Sequence, residues 1–384
     1  MIPYGRQDIT EADLAAVRAV LLSDFITQGP AIDAFEGALA AHCGVAHVTA
    51  VSSATAALHI AYMALGLGQG DVLWTTPNTF VATSNAALYC RASVDFVDID
   101  ARSYNMCLDT LEEKLVAAET AGTLPKIVTP VHFAGQSCDM ERLAGLAAKY
   151  GFAIVEDASH AVGGSYRDTP VGRCQYSDIT VFSFHPVKII TTAEGGVAMT
   201  NSDELADKMG RLRSHGITRD PALMQGTSDG PWYYQQIDLG YNYRMTDIQA
   251  ALGVSQMGRL NDYIDARHKH RAIYDAQLAD LPITLPYQAN FQRSGLHLYP
   301  ILINDDAPMT RGAAFDRLRA LGIGVNVLYI PVYLQPYYAG LGFKPGYCPR
   351  AEDYYSRMLA IPMYAQLTRD DQQTVIDALH TTLG

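Results

Sequence analysis

The feature that most constrains the fold is the alternation of short apolar segments with helical segments between residues 47 and 200. The patterns predict strands at 47–52, 72–76, 94–97, 126–131, 153–155, 179–184 and 196–200, and helices at 55–65, 84–90, 108–118 and 140–150. Strands that alternate with helices favour a parallel sheet with helices on both faces. We therefore predict an α/β fold with a mainly parallel central sheet covered by helices.

The chain changes character after about residue 244. A long helical pattern covers residues 247–280, and strands at 298–303 and 325–328 then mix with helices at 310–321 and 370–383. A chain of 384 residues is also long for a single hydrophobic core. We predict a large α/β domain at residues 1–250 and a smaller C-terminal α+β domain at residues 251–384. The aromatic segment 226–243 is predicted to be a long loop.

Composition and charge argue against several classes of function. The net charge of −12 repels nucleic acid and anionic membranes, and no apolar run reaches the ~20 residues of a membrane helix. The start of the chain lacks the pattern of a secretion signal. The six cysteines have neither CxxC nor zinc spacing, which favours reduced thiols in a cytoplasmic protein. The eleven histidines show no metal-ligand spacing, and we predict no metal site.

Lys188 stands among apolar residues, close after a predicted strand. Burial disfavours the charged ammonium form of a lysine, and the neutral amine that remains can attack a carbonyl group. Pyridoxal phosphate is the best known carbonyl partner of such a lysine. The alternative is that the stem of Lys188 packs while its ammonium group reaches solvent or a carboxylate, for which Glu194 is near in sequence.

Polar residues at predicted strand ends are expected to converge, because ligands of open α/β sheets bind beyond the carboxyl ends of the strands. Asp157 and His160 follow the strand at 153–155. The carboxylate of Asp157 can keep a pyridine nitrogen protonated, and His160 can reach the phenolic oxygen of the same ring. Alternatively, Asp157 caps a following helix.

Hydroxyl groups and an aromatic ring stand at further strand ends. Ser53 and Thr55 lie where a strand changes into a helix, and the N–H groups of a helix N-terminus suit a phosphate, although ordinary capping is the alternative. Ser183 offers another hydroxyl for the phosphate. Phe80 can stack on a flat ring or belong to the core. Asn242 stands, with an arginine, just before the long helical pattern.

Other enzyme motifs are missing. The glycines of segment 66–70 do not form GxGxxG, and they precede a predicted strand, so a nicotinamide site is not indicated. The chain has no GxSxG elbow, no HExxH and no P-loop, which disfavours zinc and nucleophilic-serine enzymes.

In chain order, these segments resemble the DegT/DnrJ/EryC1/StrS family of sugar-nucleotide aminotransferases over essentially the whole chain. The resemblance rests on the motifs at 27–30, 53–55, 77–80, 156–160, 183–188, 192–196 and 240–244. It implies a pyridoxal 5′-phosphate enzyme of fold type I.

The resemblance also implies roles for matching residues. Lys188 would bind the cofactor covalently and move the proton, and Asp157 would pair with the pyridine nitrogen. Phe80 would stack on the ring, and His160 would lie beside the ring oxygen. The residues expected at the phosphate are Ser183, Thr55, the amide of Ala54, and Asn242 reaching across from a second subunit. This last contact implies a homodimer with shared active sites. Ala54 departs from the glycine of many relatives but retains the N–H group.

Within the family, the segments 213–219, 231–234 and 239–247 resemble those of the transaminases of pseudaminic acid biosynthesis. This implies amination at C4 of UDP-2-acetamido-2,6-dideoxy-β-L-arabino-hexos-4-ulose, with L-glutamate as the donor. The acidic chain must concentrate positive charge around the diphosphate, so the candidate substrate contacts are Arg213, His215, Arg219 and Arg244, with Tyr329 and Tyr333 at the sugar end.

Three alternatives remain open. The first is a family member that acts on a dTDP-4-keto-6-deoxyhexose or on a GDP-perosamine precursor. The second is a pyridoxal-dependent sugar dehydratase, although those relatives replace the lysine. The third is a non-catalytic, cofactor-binding regulatory protein of the same fold, although the chain has no added DNA-binding segment.

Overall fold

The structure, a computed structural model, describes residues 1–384. Up to residue 200 the helices are α1 (Glu11–Leu21), α2 (Pro30–Cys43), α3 (Ala54–Ala64), α4 (Ala82–Tyr89), α5 (Leu108–Ala121) and α6 (Met140–Tyr150). The strands are β1 (His47–Val51), β2 (Val72–Thr75), β3 (Ser93–Phe96), β4 (Ile127–Thr129), β5 (Ala153–Asp157), β6 (Ser165–Tyr166), β7 (Thr169–Pro170), β8 (Ile179–Ser183) and β9 (Gly196–Thr200). All strands and helices predicted between residues 47 and 200 are present, with their ends shifted by a few residues.

Beyond residue 200 the helices are α7 (Asp203–Arg213), α8 (Asp247–Met257), α9 (Leu260–Gln277), α10 (Arg311–Ala320), α11 (Pro336–Ala339), α12 (Pro349–Arg357) and α13 (Arg369–Leu383). The strands are β10 (Ile217–Thr218), β11 (Gln235–Gln236), β12 (Ile283–Thr284), β13 (Gln292–Arg293), β14 (Tyr299–Ile303) and β15 (Met358–Ile361). Short 3₁₀ turns cover Phe133–Gly135 and Val332–Leu334.

Seven strands form the central sheet, in the order β1-β9-β8-β5-β4-β2-β3. Strand β9 runs antiparallel to its neighbours β1 and β8, and the other neighbouring strands pair in parallel. The predicted mainly parallel sheet is confirmed. Strands β5 and β8 lie side by side, with Asp157 opposite Val181, so their carboxyl ends open onto the same edge of the sheet.

Successive side chains of the central strands point into cores on opposite faces of the sheet. In β5, Ile154 packs in the core that contains α5 and α6, whereas Val155 packs in the core that contains α3 and α4. Val128 and Ile127 of β4 divide in the same way. Because both faces are covered, these strands carry consecutive apolar residues, Ile127-Val128 and Ile154-Val155, which is the pattern that predicted them.

The long helical pattern at 247–280 is two helices, which is a correction to the prediction. Gly258 and Arg259 separate α8 from α9, and glycine is among the weakest helix formers. Helix α8 packs against α1 and α2, while Tyr274 of α9 packs in a second core with β14 and α13. The predicted domain boundary after residue 250 falls inside α8. The division into two domains stays a prediction, and we propose that the domain boundary lies at Gly258, between α8 and α9.

Two further differences concern the C-terminal part. The predicted strand at 325–328 is only a bridge, in which Asn326 and Ala360 exchange backbone hydrogen bonds of 3.1 and 2.8 Å. Strand β15, which was not predicted, pairs antiparallel with β14. It begins at the residue after α12 ends, so no glycine or proline marks the change from helix to strand.

No helix combines the length and apolar character that crossing a membrane requires. No group of three or more His, Cys, Asp or Glu side chains converges as a metal site, and all six cysteines are free.

Candidate active site

A cavity of about 520 Å³ opens at the carboxyl ends of β5 and β8. Segments that are far apart in sequence line it together: 53–55 at the start of α3, 79–83 at the start of α4, 157–160 after β5, and 183–188 after β8. These segments were predicted to converge because parallel strands present their carboxyl ends at one edge of the sheet.

Lys188 is half-buried and lines this cavity. Burial lowers the pKa of Lys188 to about 8, and the nearby carboxylate of Asp157 only partly opposes that shift. At neutral pH roughly a tenth of the Lys188 side chains would then carry an uncharged, nucleophilic amine. The alternative, an ammonium paired with Glu194, is not realised, because no carboxylate forms an ion pair with Lys188.

Asp157 is the last residue of β5, and its side chain is 5% exposed. Thr83 Oγ1 donates a hydrogen bond to Asp157 Oδ2 at 2.6 Å, and the N–H of Ser159 donates to Oδ1 at 3.2 Å. No helix follows β5, so the alternative role of Asp157 as a helix cap does not apply. A buried carboxylate that lines the cavity suits a protonated ring nitrogen.

His160 is buried beside Asp157 and is hydrogen-bonded through both ring nitrogens. The N–H of Ala134 donates to Nδ1 at 3.3 Å, and Nε2 lies 3.2 Å from the hydroxyl oxygen of Tyr329. Burial, together with the charge of Lys188, holds the pKa of His160 well below its usual value, so the ring is neutral. Because Nδ1 accepts a hydrogen bond, the single ring proton sits on Nε2 and is given to the hydroxyl oxygen of Tyr329.

The start of α3 forms an anion-binding end of the cavity. Ser53 is the N-cap, and its Oγ accepts a hydrogen bond from the N–H of Ala56 at 3.2 Å, so the capping alternative is correct for this residue. The N–H groups of Ala54 and Thr55 precede the first helical hydrogen bond and have no acceptor within the helix. The hydroxyl groups of Thr55 and Ser183 also make no hydrogen bond within the chain, and both residues line the cavity.

Gly196 keeps this donor group accessible. A Cβ at this position would lie 2.4 Å from the nitrogen of Ala54 and 2.6 Å from its Cα. Real Cβ atoms do not approach so closely, so any larger residue would push β9 away from the start of α3. The close approach and the unpaired donors together fit a phosphate group at this end.

Phe80 lies at the mouth of the cavity with its side chain 61% exposed, so the alternative of a core position is excluded. Its ring centroid lies 6.4 Å from that of Tyr329. An exposed aromatic ring at the edge of a polar cavity is well placed to cover a flat heteroaromatic ligand.

The cavity does not include all of the predicted site residues. Arg213 donates to Glu36 Oε1 at 2.7 Å and to the carbonyl of Ala50 at 3.0 Å. Together with Arg244, it lines a separate cavity of about 410 Å³ near the start of α2. The remaining predicted contacts outside the cavity are exposed side chains, namely Asn242, His215 and Arg219.

Tyr333 is a correction, because its side chain is fully buried in the core and not at the cavity. Its hydroxyl donates to the carbonyl of Cys348 at 3.3 Å and contacts Glu352. The 3₁₀ turn at Val332–Leu334 directs Tyr333 inward, while Tyr329, four residues earlier, reaches the cavity as predicted.

Several residues that line the cavity were not predicted from the sequence, among them Tyr4, Thr79 and Thr83. Tyr4 reaches the cavity because the carbonyl of Tyr4 accepts a hydrogen bond from the N–H of Met363 at 3.0 Å, a contact that no local pattern reveals. Thr83 is in the first turn of α4, where a threonine is ordinary. The only feature of the sequence that links Thr83 to the site is its position three residues after Phe80.

A larger groove of about 640 Å³ lies at the opposite, amino ends of β2 and β3. Its lysines are already paired, Lys114 with Asp95 at 2.7 Å and Lys126 with Asp71 at 2.9 Å. This groove therefore lacks the unpaired polar groups that distinguish the cavity around Lys188.

Known proteins resemble the chain over its whole length. It is 37% identical over 385 residues to the UDP-4-amino-4,6-dideoxy-N-acetyl-beta-L-altrosamine transaminase of Campylobacter jejuni, covering 100% of this chain and 98% of that protein. It is also 37% identical over 382 residues to the spore coat polysaccharide biosynthesis protein SpsC of Bacillus subtilis, covering 98% of this chain and 96% of SpsC.

Solved structures give the same result. Helicobacter pylori PseC, an aminotransferase involved in the biosynthesis of pseudoaminic acid, has a TM-score of 0.91 at 31% identity, with 100% of this chain and 99% of PseC covered. Spr1654 of Streptococcus pneumoniae in its PMP form has a TM-score of 0.90 at 29% identity, with the same coverage.

The DegT/DnrJ/EryC1/StrS aminotransferase family matches residues 7–380. The chain therefore belongs to this family and is a pyridoxal-phosphate-dependent sugar aminotransferase.

Proposed function

We propose that the enzyme transfers the amino group of L-glutamate to C4 of a UDP-linked 4-keto-6-deoxy sugar. The proposed substrate is UDP-2-acetamido-2,6-dideoxy-β-L-arabino-hexos-4-ulose, and the product is UDP-4-amino-4,6-dideoxy-N-acetyl-β-L-altrosamine, an intermediate of pseudaminic acid biosynthesis. The observation that carries the chemistry is Lys188, which faces the same cavity as the buried carboxylate of Asp157. The choice of sugar is supported by the altrosamine transaminase of C. jejuni and by PseC.

The residues of the cavity fit pyridoxal phosphate, which when bound supplies an aldehyde that accepts an amino group and a ring that accepts electrons. The N–H groups of Ala54 and Thr55, with the hydroxyl of Ser183, would hold the phosphate. Asp157 would keep the ring nitrogen protonated, and Phe80 would cover one face of the ring. His160, hydrogen-bonded through Nε2 to Tyr329, would lie beside the ring oxygen.

Lys188 would anchor the cofactor and move the proton. Its neutral amine can remove a proton from the Cα atom of glutamate and later return a proton to C4 of the sugar. The same atom serves in both half-reactions, so 2-oxoglutarate leaves before the keto-sugar binds. Burial lowers the pKa of the amine to about 8, so roughly a tenth of it is uncharged at neutral pH and can act as a base.

The diphosphate of the nucleotide needs positive charge, which a chain of net charge −12 must concentrate locally. We propose that Arg244, which forms no ion pair, supplies it together with Arg213, which lines the same cavity and is paired with Glu36 at 2.7 Å, and with His215 and Arg219 nearby in sequence. Alanine variants of these residues should raise the KM for the sugar nucleotide and leave the half-reaction with glutamate unchanged. An unaltered KM would refute the placement.

We further propose a homodimer in which Asn242 of one subunit reaches the phosphate site of the other. Asn242 is exposed, and large apolar side chains are exposed as well: Leu22 at 73%, Phe25 at 54%, Trp232 at 69% and Leu239 at 74%. Mixing Lys188→Ala subunits with Asn242→Ala subunits should restore part of the activity, because one site of each mixed dimer is intact. A monomer in sedimentation analysis would contradict this proposal.

The free cysteines suit a cytoplasmic location, which we also propose.

The deciding experiment is to incubate the purified protein with pyridoxal phosphate, glutamate and defined UDP-, dTDP- and GDP-linked 4-keto-6-deoxy sugars. NMR of the products identifies the amino-sugar and the configuration at C4. Amination of only dTDP- or GDP-linked sugars would move the enzyme to another substrate within the family. Conversion of glutamate to 2-oxoglutarate would exclude a purely regulatory protein, and the presence of Lys188 argues against a dehydratase.

A further inference from the structure

Thr83 connects the start of α4 to the carboxylate at the end of β5. Its side chain is fully buried, and its hydroxyl oxygen lies 2.6 Å from Asp157 Oδ2 and 3.3 Å from the carbonyl oxygen of Phe80. Its single proton is given to the nearer, carboxylate oxygen. Thr79 Oγ1 lies 2.8 Å from Thr83 Oγ1, and because the proton of Thr83 is already used, Thr79 is the donor. The two hydroxyl groups therefore form a chain that ends on the carboxylate of Asp157.

This chain fixes the carboxylate in one orientation. Thr83 holds Oδ2, and the N–H of Ser159 holds Oδ1 at 3.2 Å. Hydrogen bonds to an ionised acceptor are stronger than neutral ones, and donors in a chain polarise one another. A buried carboxylate with one donor on each oxygen cannot rotate without breaking one of the two bonds.

The same short segment also places the aromatic ring of the site. Phe80 lies between the two threonines in sequence, with its side chain exposed at the mouth of the cavity, while Thr79 and Thr83 are buried at the cavity wall. A displacement of the segment would therefore move both the ring that covers the cavity and the hydroxyl group that holds Asp157.

We propose that Thr83 is a positioning residue, which orients the carboxylate of Asp157 toward the ring nitrogen of the bound cofactor. The proposal rests on the proposed function, in which this cavity binds pyridoxal phosphate. Thr83 acts through Asp157, so its contribution should appear only with a ligand that carries the ring nitrogen.

The test compares two probes on cofactor-free protein: pyridoxal phosphate and its 1-deaza analogue, in which carbon replaces the ring nitrogen. Thr83→Val keeps the shape of the side chain and removes the hydroxyl. We expect its Kd for pyridoxal phosphate to rise about ten- to a hundredfold, the range for hydrogen bonds to charged groups, with little change in the Kd for the deaza analogue. Thr83→Ser should restore the wild-type value.

Thr200→Val is the matched control, because Thr200 is equally buried and donates to the carbonyl of Asp178 at 2.7 Å, away from the cavity. The proposal would be overturned if Thr83→Val raised the Kd of both probes equally, or raised neither. Binding of pyridoxal phosphate by the wild type would still stand in that case. Wild-type protein that binds neither probe would overturn the proposed function as well. If circular dichroism shows that Thr83→Val does not fold, Thr79→Val takes its place. It must raise the Kd for pyridoxal phosphate by a smaller factor and leave the Kd for the deaza analogue unchanged. An equal rise in both Kd values would refute the proposal.

Discussion

Replacing Lys188 by methionine should stabilise the cofactor-free protein at neutral pH. Burial lowers the pKa of Lys188 from 10.5 to about 8, so below pH 8 the folded protein holds an ammonium group in surroundings that disfavour its charge. Methionine has a similar length and no charge, so it removes this penalty. The residue on which catalysis depends is therefore expected to lower the stability of the protein that contains it.

The magnitude follows from the two pKa values. The gap between about 8 and 10.5 corresponds to about 3 kcal/mol, since each pH unit is worth about 1.4 kcal/mol. The unfolded chain keeps its proton up to 10.5 and the folded chain releases it near 8, so wild-type stability rises with pH between these values. The advantage of Lys188→Met is therefore largest below pH 8 and should shrink by roughly 2–3 kcal/mol between pH 7 and pH 10.

The assay is urea unfolding of the two cofactor-free proteins, followed by circular dichroism at several pH values. Lys269→Met is the control, because Lys269 is exposed on α9 and loses the same charge without burial. The difference in unfolding free energy between Lys269→Met and wild type should not shrink between pH 7 and pH 10 as the difference for Lys188→Met does. A difference for Lys188→Met that does not change with pH, or that grows as the pH rises, would refute the reasoning.

Three further outcomes follow from the site. Lys188→Ala should abolish turnover and the covalent attachment of cofactor after borohydride reduction, a loss beyond the ~10²–10⁴ of proton transfer alone; an active variant would exclude the mechanism. Asp157→Asn should still bind the cofactor but slow the half-reaction with glutamate in stopped-flow absorbance, and unchanged rates would count against the pairing with the ring nitrogen. Gly196→Ala should weaken the binding of pyridoxal phosphate more than that of pyridoxal, because the added Cβ would lie 2.4 Å from the nitrogen of Ala54; equal losses would exclude a phosphate at this end.

The central sheet was predictable because its strands are buried on both faces. Segments 127–129 and 179–183 are buried at every position and mostly apolar, and the intervening helices leave parallel pairing as the simplest arrangement. Ser53, Asp157 and Ser183 could be grouped for the same reason, since each stands at the carboxyl end of a strand. The apolar pattern of the strands and the grouping of the site residues both follow from the parallel, buried arrangement of the central sheet.

Other parts depend on contacts between distant segments and left no local signal. The hydrogen bond from Thr83 to Asp157 joins residues that are 74 positions apart. The inward turn of Tyr333 depends on partners near residue 350, and β15 follows α12 with no breaking residue between them. Periodicity cannot detect such features, because they depend on which surfaces meet after the chain has folded.

The position of the Asp157 carboxylate bears on the reactivity of Lys188 as well as on the cofactor. A carboxylate that formed an ion pair with Lys188 would stabilise the ammonium and suppress the neutral amine. In the structure, Asp157 opposes the fall in the pKa of Lys188 but forms no ion pair with it, and Thr83 and Ser159 occupy its two oxygens. The hydrogen bonds that orient the carboxylate therefore hold it where its charge only partly opposes the effect of burial on the amine. A single pair of donors thus serves two requirements of the site, a fixed partner for the ring nitrogen and a lysine whose pKa stays below its usual value.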